Sequence, residues 1–290
     1  MFKVAILGCE NSHANAFLNY TVKDKIFDDI DVVGVYSDEP EAMAKLKAEY
    51  GVETADSYDA FVGKVDGIVI TARHGDNHYK YAKPYIESGI PMFIDKPITI
   101  SESEGVEFMK ELKKHNIKIS GGSSCIYQPV LHDLKKIKEE GTLGKVIGGY
   151  FRAANIPLEP YGGFYFYSQH LVQCMTTVFG NYPLSVSAFD KDGITTIVVR
   201  YEECDVTAVL TQGSHVYYAY ISGVEGVEGG KFQQIDGYLM EFTKYIGILR
   251  GTEEGENYRD FVSPVFILNA IERSLKNGGA EEKINPVPEI

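Results

Sequence analysis

The sequence predicts an α/β protein, an amino-terminal doubly wound parallel sheet followed by an α+β domain whose open sheet is mostly antiparallel. Three observations predict it. Short apolar runs alternate with helix-patterned segments as far as Ser120. After Gly121 the rhythm changes to strands with little helix between them. Finally, the apolar run Met92–Ile94 ends abruptly in Asp95-Lys96-Pro97. That is how a buried parallel strand opens onto the edge where α/β sheets bind ligands.

In chain order, Lys3 to Leu7 is a strand closed by Gly8, and Asn11 and Ser12 are N-caps for a helix through Ala14, Phe17 and Leu18. Asp31 to Tyr36 is a second strand, and the helix Glu41 to Tyr50 stops at Gly51. Val65 to Ala72, Pro91 to Asp95 and Ile117 to Ser120 are three more strands. Helices over Asn77–Glu87 and Glu102–His115 separate them, and right-handed crossovers put the strand-end loops on one edge. The boundary falls near 120 to 123, giving domains 1–121 and 122–290.

In the second domain the spacing predicts helices over Pro129–Glu139, Gly163–Phe179 and Phe261–Lys276. Strands are expected at Lys145–Asn155, Leu184–Asp190, Ile194–Tyr201, Asp205–Gln212 and Val216–Val224, with Asp192-Gly193 as a hairpin turn.

Composition narrows the function. A net charge of −13 over 290 residues argues against nucleic-acid binding and against an anionic membrane surface. No apolar run approaches a membrane span, and Met1-Phe2-Lys3 leads straight into a strand without a signal-peptide pattern. The four cysteines (Cys9, Cys125, Cys174, Cys204) are far apart and lack metal-ligand spacing, so a cytoplasmic protein with reduced thiols and no metal is expected.

A strand, a glycine turn and a helix at the amino terminus can form a dinucleotide phosphate site. The pattern GxGxxG falls on Gly8, Glu10 and His13, so only the first glycine is present. Pyrophosphate is expected on backbone amides near Asn11, Ser12 and His13, with the Glu10 carboxylate turned aside. Ser37 and Asp38 end the second strand where a ribose is read, and acids without an adjacent arginine favour NAD over NADP.

These features resemble the Gfo/Idh/MocA family of NAD(P)-dependent sugar and polyol dehydrogenases, whose first domain is a Rossmann fold. Asp95-Lys96-Pro97 is similar to the family's Glu-Lys-Pro signature. Ala72-Arg73-His74, with His78 after it, resembles the Thr-Pro-Asn…His loop along the cofactor. Gly141-Thr142-Leu143-Gly144-Lys145-Val146 resembles its Gly-x-Ile-Gly-x-Val passage into the second domain, and Gly162-Gly163 with His170 its catalytic helix.

The resemblance implies that Lys96 contacts the nicotinamide region and the reacting hydroxyl, while His170 exchanges the hydroxyl proton. It also implies a carbohydrate-like small-molecule substrate and a homodimer or homotetramer. The family aspartate four residues before the histidine falls on Phe166, which cannot share a proton; Tyr165, Tyr167 or Gln169 are the expected substitutes, the tyrosines first. Lys96 and His170 are expected to face one cavity. Two other readings stay open, a non-catalytic dinucleotide- or sugar-binding protein and an NAD-dependent glycoside hydrolase of the same family.

Overall fold

A computed structural model describes all 290 residues. The chain divides into two compact units. The first comprises Met1–Gly122 and Asp236–Phe261 with the final residue, and the second comprises Ser123–Ile235 and Val262–Glu289.

The first unit runs β1 (Phe2–Leu7), α1 (Ser12–Leu18), β2 (Ile30–Tyr36), α2 (Pro40–Tyr50), β3 (Gly67–Ile70), α3 (Asp76–Ala82), β4 (Met92–Asp95), α4 (Glu102–Lys114) and β5 (Ile119–Gly122). All five strands are parallel in the order β2-β1-β3-β4-β5. β3 and β4 are buried along their whole length, as strands covered on both faces must be.

Local chemistry sets the helix ends. The Asn11 side chain accepts from Ser12 N, Pro40 opens α2, and Gly51 ends it in the left-handed region at φ 70°. Pro84 has no N–H to continue α3, and the chain tightens into a 3-10 helix over Lys83–Ser88, where a single α-helix was expected to run to Glu87.

The second unit continues with α5 (Pro129–Glu140), β6 (Val146–Ala154), α6 (Tyr165–Phe179), β7 (Ser185–Lys191), β8 (Ile194–Arg200), β9 (Asp205–Thr211), β10 (Tyr218–Gly223) and β11 (Gly226–Lys231). The chain then forms α7 (Gly237–Arg250), α8 (Tyr258–Lys276) and β12 (Glu282–Lys283). The seven-stranded sheet has the order β11-β10-β6-β9-β8-β7-β12, antiparallel except where β6 pairs β9. Asp192 and Gly193 both have positive φ, 54° and 77°, and form the expected tight turn between β7 and β8. No helix is long and apolar enough to cross a membrane.

The expected division at 121/122 needs one change. Residues 236–261, assigned from sequence to the second domain, return to the first unit and carry α7. The cause is apolar burial. Phe242 stacks on Phe17 at 4.2 Å, and Tyr245 reaches the Ile68 carbonyl at 3.0 Å. The hydroxyl sits so close to Gly67 that a Cβ there would lie 2.4 Å from it. Phe242, Tyr245 and Ile246 join Val4, Ile6, Phe17 and Phe93 in one buried cluster. A helix with this apolar face is stable only against such a partner.

Candidate functional site

Gly8 turns the chain out of β1 at φ 79°, and a Cβ there would lie 2.3 Å from the Ala72 backbone. The turn therefore requires glycine both for its conformation and for its contact with the segment after β3. This is the crevice at which β1 neighbours both β2 and β3.

Glu10, at the second glycine position, does turn aside. Its carboxylate accepts Ser37 Oγ at 2.6 Å and Arg73 N at 2.9 Å, tying the ends of β2 and β3 together. Asp38 is occupied elsewhere. It accepts the phenols of Tyr36 (2.5 Å) and Tyr81 (2.8 Å) and pairs with Lys80 at 3.4 Å. Burial raises its carboxyl pKa, but the two phenols and Lys80 together hold it below the ordinary aspartate value.

The third glycine position holds the most unusual feature of the unit. His13 is 1% exposed; its Nδ1 lies 3.2 Å from Asp95 and its Nε2 3.0 Å from Glu241. Both acids are fully buried. Asp95 also accepts Asn11 Nδ2 and Lys96 N, each at 2.7 Å. Tyr238 lies against the imidazole at 4.1 Å, and its hydroxyl is 3.0 Å from Ser12 Oγ. Two buried carboxylates thus flank one imidazole. Lys96, 3% exposed at the end of β4, is fixed through its backbone to this network.

The two remaining histidines of the expected cofactor loop differ in role. His78 is buried, with Nε2 2.8 Å from the Ala72 carbonyl oxygen and Nδ1 3.2 Å from that of Ile98; its single N–H donates to one of them. Burial pushes its pKa down to about 4, leaving a neutral ring that anchors the loop. His74 is a surface residue turned onto Asp76.

In the second unit, His170 on α6 has Nδ1 2.6 Å from Ser123 Oγ. The Tyr167 ring meets its imidazole edge-on at 4.7 Å, whereas the Tyr165 hydroxyl donates to Glu272 at 3.3 Å. Phe166 is buried between Tyr161 and Tyr167. The side chain bonded to His170 is therefore Ser123, a residue the sequence reading did not single out, 47 positions upstream.

Glu241 and Tyr238 were also missed, because α7 had not been recognised. The signal was present. Tyr238, Phe242, Tyr245 and Leu249 recur at helical spacing after the Asp236 cap, whose side chain accepts Leu239 N. No group of three or more His, Cys, Asp or Glu side chains is arranged to hold a metal.

A parallel sheet ordered 2-1-3-4-5, opening at a glycine turn with acids at its strand ends, is a doubly wound sheet with its ligand crevice at those strand ends. Residues 2–123 match the model of the Gfo/Idh/MocA oxidoreductases, a family with an NAD-binding Rossmann fold. Over these residues the chain is similar to that family's NAD-binding domain. A curated relative, the uncharacterized oxidoreductase YhhX of Escherichia coli (strain K12), is 26% identical over 121 residues. That match covers 39% of this chain and only 35% of the relative.

The fold as a whole is shared more widely. The myo-inositol dehydrogenase of Lactobacillus casei, solved with NAD(H) and myo-inositol, superposes with a TM-score of 0.86 at 12% identity, covering 100% of this chain and 98% of that one. The WlbA dehydrogenase of Bordetella pertussis, solved with NADH and UDP-GlcNAcA, gives 0.79 at 17% identity over 98% and 99% of the two chains.

Proposed function

We propose that the protein is an NAD-dependent dehydrogenase or reductase acting on a sugar, polyol or related alcohol or carbonyl compound. The observation that carries this reading is Lys96, buried at the end of β4 in a domain similar to that of the NAD-binding oxidoreductase family.

The residues present fit the cofactor. Gly8 leaves room where a Cβ would fill the crevice, and the strand ends carry acids suited to a ribose diol and hostile to a 2′-phosphate. One departure bears on the pyrophosphate, since Ser12 N is already taken by Asn11 Oδ1 at 2.7 Å. Bound NAD would supply the hydride acceptor or donor. Ser37, Arg73 and the Asn11–His13 turn would hold it.

The chain's own groups handle charge and proton. Lys96 places an ammonium beside the developing alkoxide. His170 takes or returns the hydroxyl proton. Ser123 Oγ accepts Cys125 N at 3.2 Å. Held to Ser123 Oγ through Nδ1, the imidazole keeps Nε2 for the substrate hydroxyl. Ser123 thus does for the imidazole what Phe166 cannot.

The test is a titration with NAD followed by an absorbance assay for NADH against inositols, hexoses and nucleotide sugars. Saturable NAD binding and net NADH production support the reading. Binding without turnover would favour the non-catalytic alternative, motivated by Phe166, and product without net redox change would favour a glycoside hydrolase.

Glu10 supplies a further expectation. Its carboxylate remains at the strand-end edge, so E10Q should tighten NAD about fivefold, equivalent to ~1 kcal/mol of relieved repulsion. The dissociation constant at low salt measures this. An unchanged constant would show that Glu10 does not oppose the pyrophosphate.

A further inference from the structure

We propose that the second unit binds an amino sugar, a pyranose carrying a protonated amine, in a cavity of about 430 Å³ lined by the loop after β6, the β7–β8 hairpin and the end of α8. All the lining residues belong to that unit, and the volume is that of a small-molecule pocket. Asn155 is the first residue after β6, and its N–H donates to the Thr211 carbonyl at 2.9 Å, carrying the β6–β9 ladder one residue further. The backbone therefore fixes the place of its side chain in the cavity wall. Asn155 is only 6% exposed, and its side-chain oxygen has no hydrogen-bond partner in the protein. A folded chain rarely leaves a buried amide unsatisfied, so a bound group is expected to complete it.

The other polar groups select the ligand's charge. Thr195 is buried opposite Asp190 across the hairpin, and its hydroxyl donates to the Asp190 carboxylate at 2.8 Å. That bond uses the hydroxyl proton and holds the carboxylate at the exposed rim of the cavity, where Glu159 adds a second one. No lysine or arginine lines the cavity. Carboxylates accept but do not donate, so the rim favours an ammonium group and repels a phosphate or a uronate.

The apolar walls set the ligand's shape. The Phe189 ring, exposed near the end of β7, rests against Gly279, whose φ is 89° and where a Cβ would run into the ring. Phe164, at the start of α6, supplies a second ring. Aromatic faces of this kind cover the C–H groups of a sugar ring. A carboxamide offers a donor and an acceptor, which a hydroxyl, itself both, satisfies. A bare amine would leave the amide N–H of Asn155 unmet, and a neutral sugar would make no use of the two carboxylates.

The inference does not depend on the proposed hydride transfer, because binding is read directly. Full-length protein is titrated calorimetrically with glucosamine at mildly acidic pH, with glucose, N-acetylglucosamine and putrescine as controls. Glucosamine should bind saturably, and each control at least about tenfold more weakly. E159Q/D190N, changed only at exposed rim positions, should weaken glucosamine at least about tenfold. N155L should weaken it as well. K96A/H170A should bind glucosamine as the unaltered protein does, which separates this cavity from the groups of hydride transfer. No saturable glucosamine binding up to about 10 mM, equal binding of glucose or putrescine, unchanged binding in E159Q/D190N, or loss of binding in K96A/H170A would each overturn the proposal.

Discussion

Replacing Lys96 by alanine is expected to lower turnover by roughly two orders of magnitude or more, within the range for groups that stabilise transition-state charge or transfer protons. Hydride loss from a secondary alcohol builds negative charge on its oxygen. The best stabiliser is a positive group that is already desolvated and needs no reorganisation. Lys96 meets this description, being 3% exposed and fixed through its backbone N to Asp95, which is itself pinned by Asn11 and His13. K96M, which keeps the aliphatic stem, should lose turnover to a similar degree, separating charge from packing. NAD affinity should change much less in both. H170A should lose turnover as well, through the proton rather than the charge. An active dehydrogenase that keeps full turnover in both K96A and H170A would remove these residues from the reaction.

The second large effect is on stability. H13A should lower the unfolding free energy by about 3–5 kcal/mol, the usual cost of removing one partner from a buried ion pair. His13 is flanked by Asp95 at 3.2 Å and Glu241 at 3.0 Å, both fully buried, so its loss takes a polar neighbour from two buried acids at once, although Asp95 keeps Asn11 Nδ2 and Lys96 N. H13G, which restores the third glycine of the dinucleotide pattern, should be no better. The double variant H13L/E241L, which removes an acid along with the imidazole, should recover part of the loss. Urea unfolding monitored by circular dichroism measures all three. A loss below about 1 kcal/mol in H13A would mean that the carboxylates do not depend on His13.

Much of the parallel sheet was legible because β1 is closed by Gly8, β3 follows Asp66 as an apolar run and β4 is set off by Pro91, and strands such as β3 and β4, buried on both faces, read as continuous apolar runs. The turn at Asp192-Gly193 was legible because few residues tolerate positive φ at two successive positions. β11 was not. Its sequence Gly226–Lys231 is half glycine and mostly exposed, so neither propensity nor alternation marks it.

The site shows the same contrast. Gly8 and Lys96 announce themselves locally, by a turn and by an abrupt strand end. His13 reads only as a missing glycine, because its partner Glu241 lies 228 residues later on a helix held by tertiary packing. The loss of an acid at 166 was visible, but not that Ser123 would hold His170. A hydrogen bond between elements leaves no periodic trace in either.

The return of residues 236–261 to the first unit makes that unit discontinuous, and this has a consequence for biosynthesis. A ribosome delivers β1 to β5 first, then the whole of β6 to β11, and only afterwards α7. Until α7 emerges, Phe17 and Phe93 lack their apolar cover, and His13 faces Asp95 without Glu241. The nascent amino-terminal sheet therefore waits, incompletely covered, while the strands of the other sheet are made. In that interval the exposed apolar surface is of the kind that invites aggregation.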